Sequence, residues 1–290
     1  MRYLLVINPR AGRGRRKADR VLSTISTFFH RRGHSITIVG TRKRGDATRL
    51  TKRHRKSHDV IIACGGDGTI NEVVNGLAGS TKPLGIIPLG TENVLARFLG
   101  IPAGIEGACA RILRGKQWKV DLGRANGRYF LLWTGIGFDA HVASKVELEP
   151  LLKKFIGSIA YPLTAIKEAF SYEPARLTAM IGRRRYTGYY IIVSNCRYYG
   201  ARIPMAYRAQ LDDGLLDVCI FPSPQIYGAL RYLASATIWK KDIFRDAKYI
   251  KTTRLRVTAD KPTLVHTDCE IIGTTPVTIT IKKKALRIIC

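Results

Sequence analysis

The run Gly65-Gly66-Asp67-Gly68-Thr69 stands between an apolar stretch, Asp59 to Cys64, and a helically spaced one, Thr69 to Leu77. Glycines let backbone N–H groups close on phosphate oxygens, and a helix start adds a positive dipole end. Asp67 would repel a bare phosphate. Its presence makes sense if Mg²⁺, or the water shell of that ion, sits between carboxylate and phosphate. No Gly-Lys-Ser/Thr follows, so this is not the usual P-loop. Two glycines alone would equally make a tight strand–helix turn; the continuation Ile70-Asn71-Glu72 favours a ligand site.

Two more loops share that placement. Asn8-Pro9-Arg10-Ala11-Gly12 follows the first apolar run, and Pro88-Leu89-Gly90-Thr91-Glu92-Asn93 follows the fourth. Taken singly, the first could be a structural Asn-Pro turn, and Thr91 could cap a helix instead of bonding phosphate. Three such loops at three strand ends predict one phosphate-binding crevice, where open α/β sheets hold ligands.

The elements that must position these loops alternate. Residues 2–8 read as a strand and Arg15 to Arg32 as a helix, with Val21, Leu22, Ile25, Phe28 and Phe29 on one face. Ser35 to Val39 is a short β-branched alternation. Asp46 reads as the N-cap of a basic helix through Arg55. Asp59 to Cys64, Thr69 to Leu77, Leu84 to Ile87 and Glu92 to Leu99 continue as strand, helix, strand, helix. This rhythm predicts an α/β fold with a doubly wound parallel sheet over residues 1–125. Beyond it, a long helical segment spans roughly Val142 to Phe170 and another Gln225 to Trp239. Strand-like runs occupy Leu177 to Ile181, Tyr189 to Val193, Leu216 to Phe221, Leu255 to Val257 and Val277 to Ile281. Residues 126–283 therefore read as a mainly antiparallel β domain with helical insertions.

With 290 residues, 46% of them hydrophobic, the chain can bury a sizeable core. No stretch of 18 or more apolar residues would span a bilayer. Met1 to Ile7 is too short for a signal peptide and runs into Asn8-Pro9, so a cytoplasmic protein is expected. The six cysteines are scattered without a CxxC, which argues against zinc or a disulfide framework. The 49 Lys and Arg against 21 Asp and Glu give a net charge of +28. A field of that sign attracts nucleotides, nucleic acid or anionic membrane, each basic residue near an anionic leaflet contributing about 1 kcal/mol; a solvated, arginine-rich surface is the plainer reading.

The three loops in order, with Gly135-Ile136-Gly137-Phe138-Asp139, Asn195 to Gly200 and Asp212 to Val218 after them, resemble the diacylglycerol kinase catalytic family, which includes sphingosine and ceramide kinases and bacterial soluble lipid kinases. The resemblance covers nearly the whole chain. It implies two domains, the second β-sandwich-like, with ATP in the cleft between them and a final strand, about 284–290, returning to the first. It assigns nucleotide contacts to Asn8, Pro9, Arg10, Ala11, Gly12, Thr41, Gly65, Gly66, Asp67, Gly68, Thr69, Ile70, Asn71 and Thr91. Arg13 and Arg97 match basic positions near the phosphates or the lipid head group. Gln210, Asp213 and Leu215 match a structural metal loop, although Asp213-Gly214 is also an ordinary hairpin turn. The general base of the family lies in an Asp-Gly-Glu run. Here that run is Asp268-Cys269-Glu270, which makes Glu270 the base and leaves open whether position 269 needs positive φ or only a small side chain. His266 reads as packing.

The implied reaction is transfer of the γ-phosphate of ATP, with Mg²⁺ near Asp67, to a lipid hydroxyl, diacylglycerol foremost. Asp121 could join the metal network or simply end a strand. The basic helix around Arg49, Lys52, Arg53, Arg55 and Lys56 would dock peripherally on the anionic inner face of the membrane. A homodimer is allowed, and no specific nucleic acid is expected. The alternatives are a sphingoid-base or ceramide kinase, a soluble small-molecule kinase sharing the Gly-Gly-Asp-Gly element, and a catalytically silent binder of lipid or nucleic acid.

Overall fold

The structure, a computed structural model, describes residues 1–9, 11, 15–148, 160–169, 171–199, 205–224 and 247–290. The chain divides into two compact units, Met1–Leu122 with Lys283–Cys290, and Gly123–Lys282.

In the first unit, strands β1 (Arg2–Ile7), β2 (Ser35–Gly40), β3 (Val60–Gly65) and β4 (Pro83–Pro88) form a parallel sheet in the order β2-β1-β3-β4. β3 and β4 are buried along their full length and β1 from Tyr3 onward, whereas the edge strand β2 is largely exposed. Continuous apolar runs such as Val60-Ile61-Ile62-Ala63-Cys64 suit central strands covered on both faces. Helices α1 (Arg15–His30), α2 (Asp46–His54), α3 (Asp67–Leu77), α4 (Val94–Phe98) and α5 (Ile105–Arg114) alternate with them. Ile25 and Phe29 of α1 and Val73, Val74 and Leu77 of α3 are wholly buried, and the Tyr3 and Phe29 rings lie 4.6 Å apart. Each such side chain contributes about 1.5–3 kcal/mol. Truncating the fully buried Ile62 to Ala would cost about 2–5 kcal/mol.

Two expectations change here. Asp46 is the first residue of α2, not its N-cap; Gly45, at φ 85°, holds that position. The Asp46 carboxylate instead accepts the N–H groups of Arg42 (2.9 Å) and Lys43 (3.1 Å), closing the turn before the helix. The helix expected over Glu92 to Leu99 begins only at Val94, after Asn93 at φ 49°.

The second unit packs two antiparallel sheets. One contains β8 (Leu177–Ile181), β9 (Arg184–Gly188), β13 (Arg254–Ala259) and the first part of β16 (Val277–Ile289), with β6 (Arg128–Phe130) and the end of β5 (Gln117–Ala125), whose residues up to Leu122 belong to the first unit. The other runs β12-β11-β10-β7-β14-β15, built from Lys248–Thr252, Leu216–Phe221, Tyr190–Ser194, Trp133–Ile136, Leu264–Thr267 and Glu270–Thr274. Leu177, Ala179, Val257 and Ile279 from the first sheet and Ile136, Ile191, Val193 and Val218 from the second share one core. The end of β16 pairs in parallel with β4, Arg287 opposite Pro83 and Ile288 opposite Leu84. The helical segment expected from Val142 starts earlier and is described as α6 (Phe138–Leu148) and α7 (Ala160–Ala169); the segment expected over Gln225 to Trp239 lies outside the described residues. Among the described residues no helix is long and apolar enough to cross a membrane.

Candidate active site

The order β1-β3-β4 places the three glycine-bearing loops side by side at the carboxyl ends of neighbouring strands. Backbone bonds tie them together: the Asn8 N–H donates to Cys64 (3.1 Å) and the Leu89 N–H to Gly65 (2.9 Å). The loops also touch through glycines. A Cβ on Gly90 would stand 2.6 Å from the Gly66 Cα, and one on Gly66 would stand 3.2 Å from the Gly90 Cα. Hydrogen is required at Gly90, and a side chain at Gly66 would be tight against it. Pro9 and Ala11 lie in the first loop, where the Ala11 N–H closes a turn on the Asn8 carbonyl at 3.0 Å; Arg10, Gly12 and Arg13 lie outside the described residues.

Gly65 ends β3, Asp67 opens α3, and Gly66 between them is extended. Gly68 is exposed with open space about its Cα, Thr69 is half-buried, and Ile70 and Asn71 face inward. Asp67 has a further task that its motif does not announce. Its two carboxylate oxygens accept the first N–H groups of α4, from Val94 (3.1 Å) and Leu95 (3.3 Å). The carboxylate therefore locks the third loop to the second. Burial pushes the Asp67 carboxyl above its ordinary value, while those N–H donors pull the other way. A carboxylate offers about four lone-pair sites, and the N–H groups of Val94, Leu95 and Asp67 itself take up three, which leaves one for a cation or its water shell. One carboxylate supplemented by substrate phosphates is a common way to hold Mg²⁺, so these residues fit that ion.

Glu72, next in the motif, also proves to be a clamp. Its Oε1 accepts from the Gly45 N–H (2.8 Å) and its Oε2 from the Ala47 N–H (2.9 Å), so it caps α2 from another helix. Thr41, whose N–H donates to Ile7 at 2.9 Å, starts the segment held by this cap. Thr91 is exposed and does not cap α4. Arg97 is half-exposed and lies 3.9 Å from Glu92. Of the basic residues assigned to docking, Arg49 pairs with Asp46 at 3.1 Å and Arg55 bonds the Gly76 carbonyl at 2.9 Å; Lys52, Arg53 and Lys56 are exposed. Asp121 is fully buried and accepts the Lys284 N–H at 2.6 Å, where β16 bends through φ 48°.

In the second unit, Thr267 pairs with Glu270, so Asp268 and Cys269 form a two-residue hairpin loop. Both have positive φ, 47° and 66°, as a type I′ turn requires. That geometry decides the question left open by sequence: position 269 needs positive φ, and cysteine occupies a place suited to glycine. The Asp268 carboxylate holds the turn by accepting three N–H groups, from Leu131 (2.9 Å), Leu132 (3.0 Å) and Trp133 (3.1 Å). Glu270 follows at the start of β15 and is ion-paired with Arg128 of β6. His266 is not simple packing. It is fully buried, with Nε2 2.5 Å from Asp139 Oδ2 and Nδ1 3.1 Å from the Cys269 N.

The loop matched to a structural metal has its charge already balanced. Asp213 Oδ1 accepts the Leu215 N–H at 3.0 Å, and Oδ2 accepts from Lys251 Nζ at 2.8 Å. The same ammonium reaches the Arg208 carbonyl (3.2 Å). Gln210 is exposed beside it. As it stands, this donor set does not fit a dication: the ammonium would repel one bound to the same carboxylate. All six cysteines are free thiols.

The residues whose roles sequence reading missed, Glu72, Arg128, Asp139 and Lys251, act on partners 25 or more positions away. Spacing within a motif cannot reveal such pairs.

Comparison with known proteins identifies the family and the fold. Residues 2–125 match the diacylglycerol kinase catalytic domain model, and residues 134–290 match the YegS C-terminal NAD kinase beta sandwich-like domain. The diacylglycerol kinase of Bacillus subtilis is 30% identical over 281 residues, covering 95% of this chain and 91% of that one. A Staphylococcus aureus diacylglycerol kinase is 39% identical over 163 residues, 55% of this chain and 50% of its own. A crystal structure of a diacylglycerol kinase from Bacillus anthracis superposes with a TM-score of 0.79 at 29% identity, covering 99% of this chain and 96% of that one. With both halves of the chain matched, and a relative 30% identical along almost its whole length, the chain belongs to the diacylglycerol kinase catalytic family of lipid kinases.

Proposed function

We propose that the protein transfers the γ-phosphate of ATP to a lipid hydroxyl, with diacylglycerol as acceptor and phosphatidate as product. The observation that carries the reading is the abutment of the loops after β1, β3 and β4, where Gly66 and Gly90 meet without side chains. Such a surface of glycines and backbone amides suits a polyphosphate. Asp67 would hold Mg²⁺ or its waters, and the bound ion would offset charge on the phosphates.

The acceptor oxygen forms a bond to Pγ as the bond from Pγ to the β,γ-bridging oxygen breaks. ADP leaves, and the hydroxyl proton passes to the Glu270 carboxylate. Arg128 orients that carboxylate. Asp67 also keeps α4 and the Thr91 loop in register with the glycines. A lipid acceptor places the work at a membrane surface; the exposed Lys52, Arg53 and Lys56 would be drawn to anionic head groups from the cytoplasmic side.

The test is transfer of labelled phosphate from ATP to a panel of diacylglycerol, ceramide and sphingoid-base acceptors, with Glu270→Gln and Asp67→Asn alongside. Diacylglycerol labelling that both variants reduce at least about 100-fold supports the reading. Preferential labelling of a sphingoid base or ceramide would move the substrate. No lipid labelled, together with salt-sensitive binding to nucleic acid, would defeat it.

A further inference from the structure

Three side chains, Tyr199, Asp139 and His266, form a largely shielded chain that ends on a backbone N–H of the hairpin bearing Glu270. Tyr199 donates its hydroxyl to Asp139 Oδ1. The other oxygen of Asp139 faces His266 Nε2 at 2.5 Å, and His266 Nδ1 faces the Cys269 N at 3.1 Å. A backbone N–H can only donate, so Nδ1 must carry the lone pair. The imidazole proton then sits on Nε2 and points at Asp139. The geometry thus fixes a single neutral tautomer.

Space is reserved for this arrangement. A Cβ on Gly135 would collide with both the Asp139 carboxylate and His266 Nε2. Asp139 is delivered by the first turn of α6, and Tyr199 packs its ring 5.1 Å from that of Trp133. The burial of Tyr199, followed by the charge of Asp139, raises its hydroxyl well above the ordinary tyrosine value, so it remains a donor.

We propose that His266 is the positioning residue for the base, holding the strained Asp268–Cys269 turn through Nδ1 while Asp139 and Tyr199 fix its ring. Asp268 pins the near end of the turn by three N–H bonds, and His266 pins the far end, one residue before Glu270. Without the second pin, the left-handed conformation of Cys269 loses one of its supports, and the Glu270 backbone is held less firmly with it. The inference rests on Glu270 as the base, as proposed above.

The experiment compares His266→Phe, which keeps the volume and loses both bonds, with His266→Gln, whose amide can accept from Cys269 and donate to Asp139. The Phe variant should lower kcat by about 10- to 100-fold, the scale expected for a displaced catalytic group, with KM for ATP unchanged. The Gln variant should recover most of the loss, which a purely structural role would not require. In the unaltered protein, ¹⁵N spectra should show His266 protonated at Nε2 only, with the Cys269 amide protected from exchange. A folded Phe variant with unaltered kcat, or a proton on Nδ1, would overturn the proposal. If the Phe variant does not fold, the tautomer and the Cys269 amide decide. If Glu270→Gln keeps full activity, the base assignment falls, and the same two spectral readouts still judge His266.

Discussion

Arg128 and Glu270, 142 positions apart in the chain, are ion-paired through Arg128 Nη2 and Glu270 Oε2, with both side chains mostly shielded from solvent. The base assigned to this lipid kinase is therefore tethered. Replacing Arg128 with Gln should remove a charge-assisted bond worth about 1.5–3 kcal/mol and let the carboxylate sample other rotamers. We predict a lowered kcat with little change in KM for ATP, measured by steady-state phosphate transfer, and a lowered midpoint in urea. Unchanged kcat would show that the tether does not orient the base.

Cys269 stands at φ 66° in a turn where both central residues need positive φ. A non-glycine residue there is strained by about 1–2 kcal/mol, partly offset by the chain entropy that glycine would lose. Cys269→Gly should raise stability by about 0.5–1 kcal/mol without lowering activity. Thermal unfolding and initial rates check it, and a destabilised Gly variant would mean that the cysteine side chain contributes packing that outweighs the strain.

Asp46 is held well below the ordinary carboxylate range, at about 2, first by the N–H groups of Arg42 and Lys43 and then by Arg49. Because the folded value lies below the unfolded one, its contribution is present above about pH 4 and is lost as pH falls toward 2. Asp46→Asn should therefore be less stable than the parent at pH 7, and the gap should close between about pH 5 and pH 2. Urea melts across that range test it. A gap that persists at pH 2 would point to the amide disturbing the turn for reasons other than charge.

Lys251 bonds Asp213 at 2.8 Å and lies 3.8 Å from the fully buried Asp217. Lys251→Met should uncover a cluster of negative charge. We predict that the unfolding temperature of the parent responds weakly to millimolar Ca²⁺ or Mg²⁺ in the absence of nucleotide, and that the Met variant is destabilised and rescued by either ion. A saturable metal response of the parent, lost in Asp213→Asn, would instead identify a true metal loop from which Lys251 is displaced.

The parts of the fold that could be read in advance share one property: their signal lies within about a dozen residues. The β3–Gly-rich turn–α3 unit is apolar run, glycines and helical spacing in sequence, and the structure reproduces it from Val60 to Leu77. Helix α5 and the β5–β6 hairpin gave no comparable signal. In α5 only Ala108, Cys109 and Ile112 are buried, and β5 carries three charged residues in nine. At Asp268-Cys269 the sequence marks a position but not a conformation, since positive φ at Cys269 belongs to the two-residue loop between the paired Thr267 and Glu270 and to a bond from His266, neither visible in the residue types. Asp46 misled because its type and place suit an N-cap, yet Glu72, a residue of α3, already serves the N–H groups at the start of α2.

The last strand has a temporal consequence. Lys283–Cys290 belongs to the first unit, where Arg287 and Ile288 pair with β4. During synthesis this segment leaves the ribosome after everything else in both units. Until then β4, apolar along its whole length, has an unsatisfied ladder of N–H and C=O groups on one side. Open strand edges of this kind recruit other chains, and nascent intermediates are where such recruitment happens. The first unit must therefore wait, with an adhesive edge, until residues 283–290 have been made.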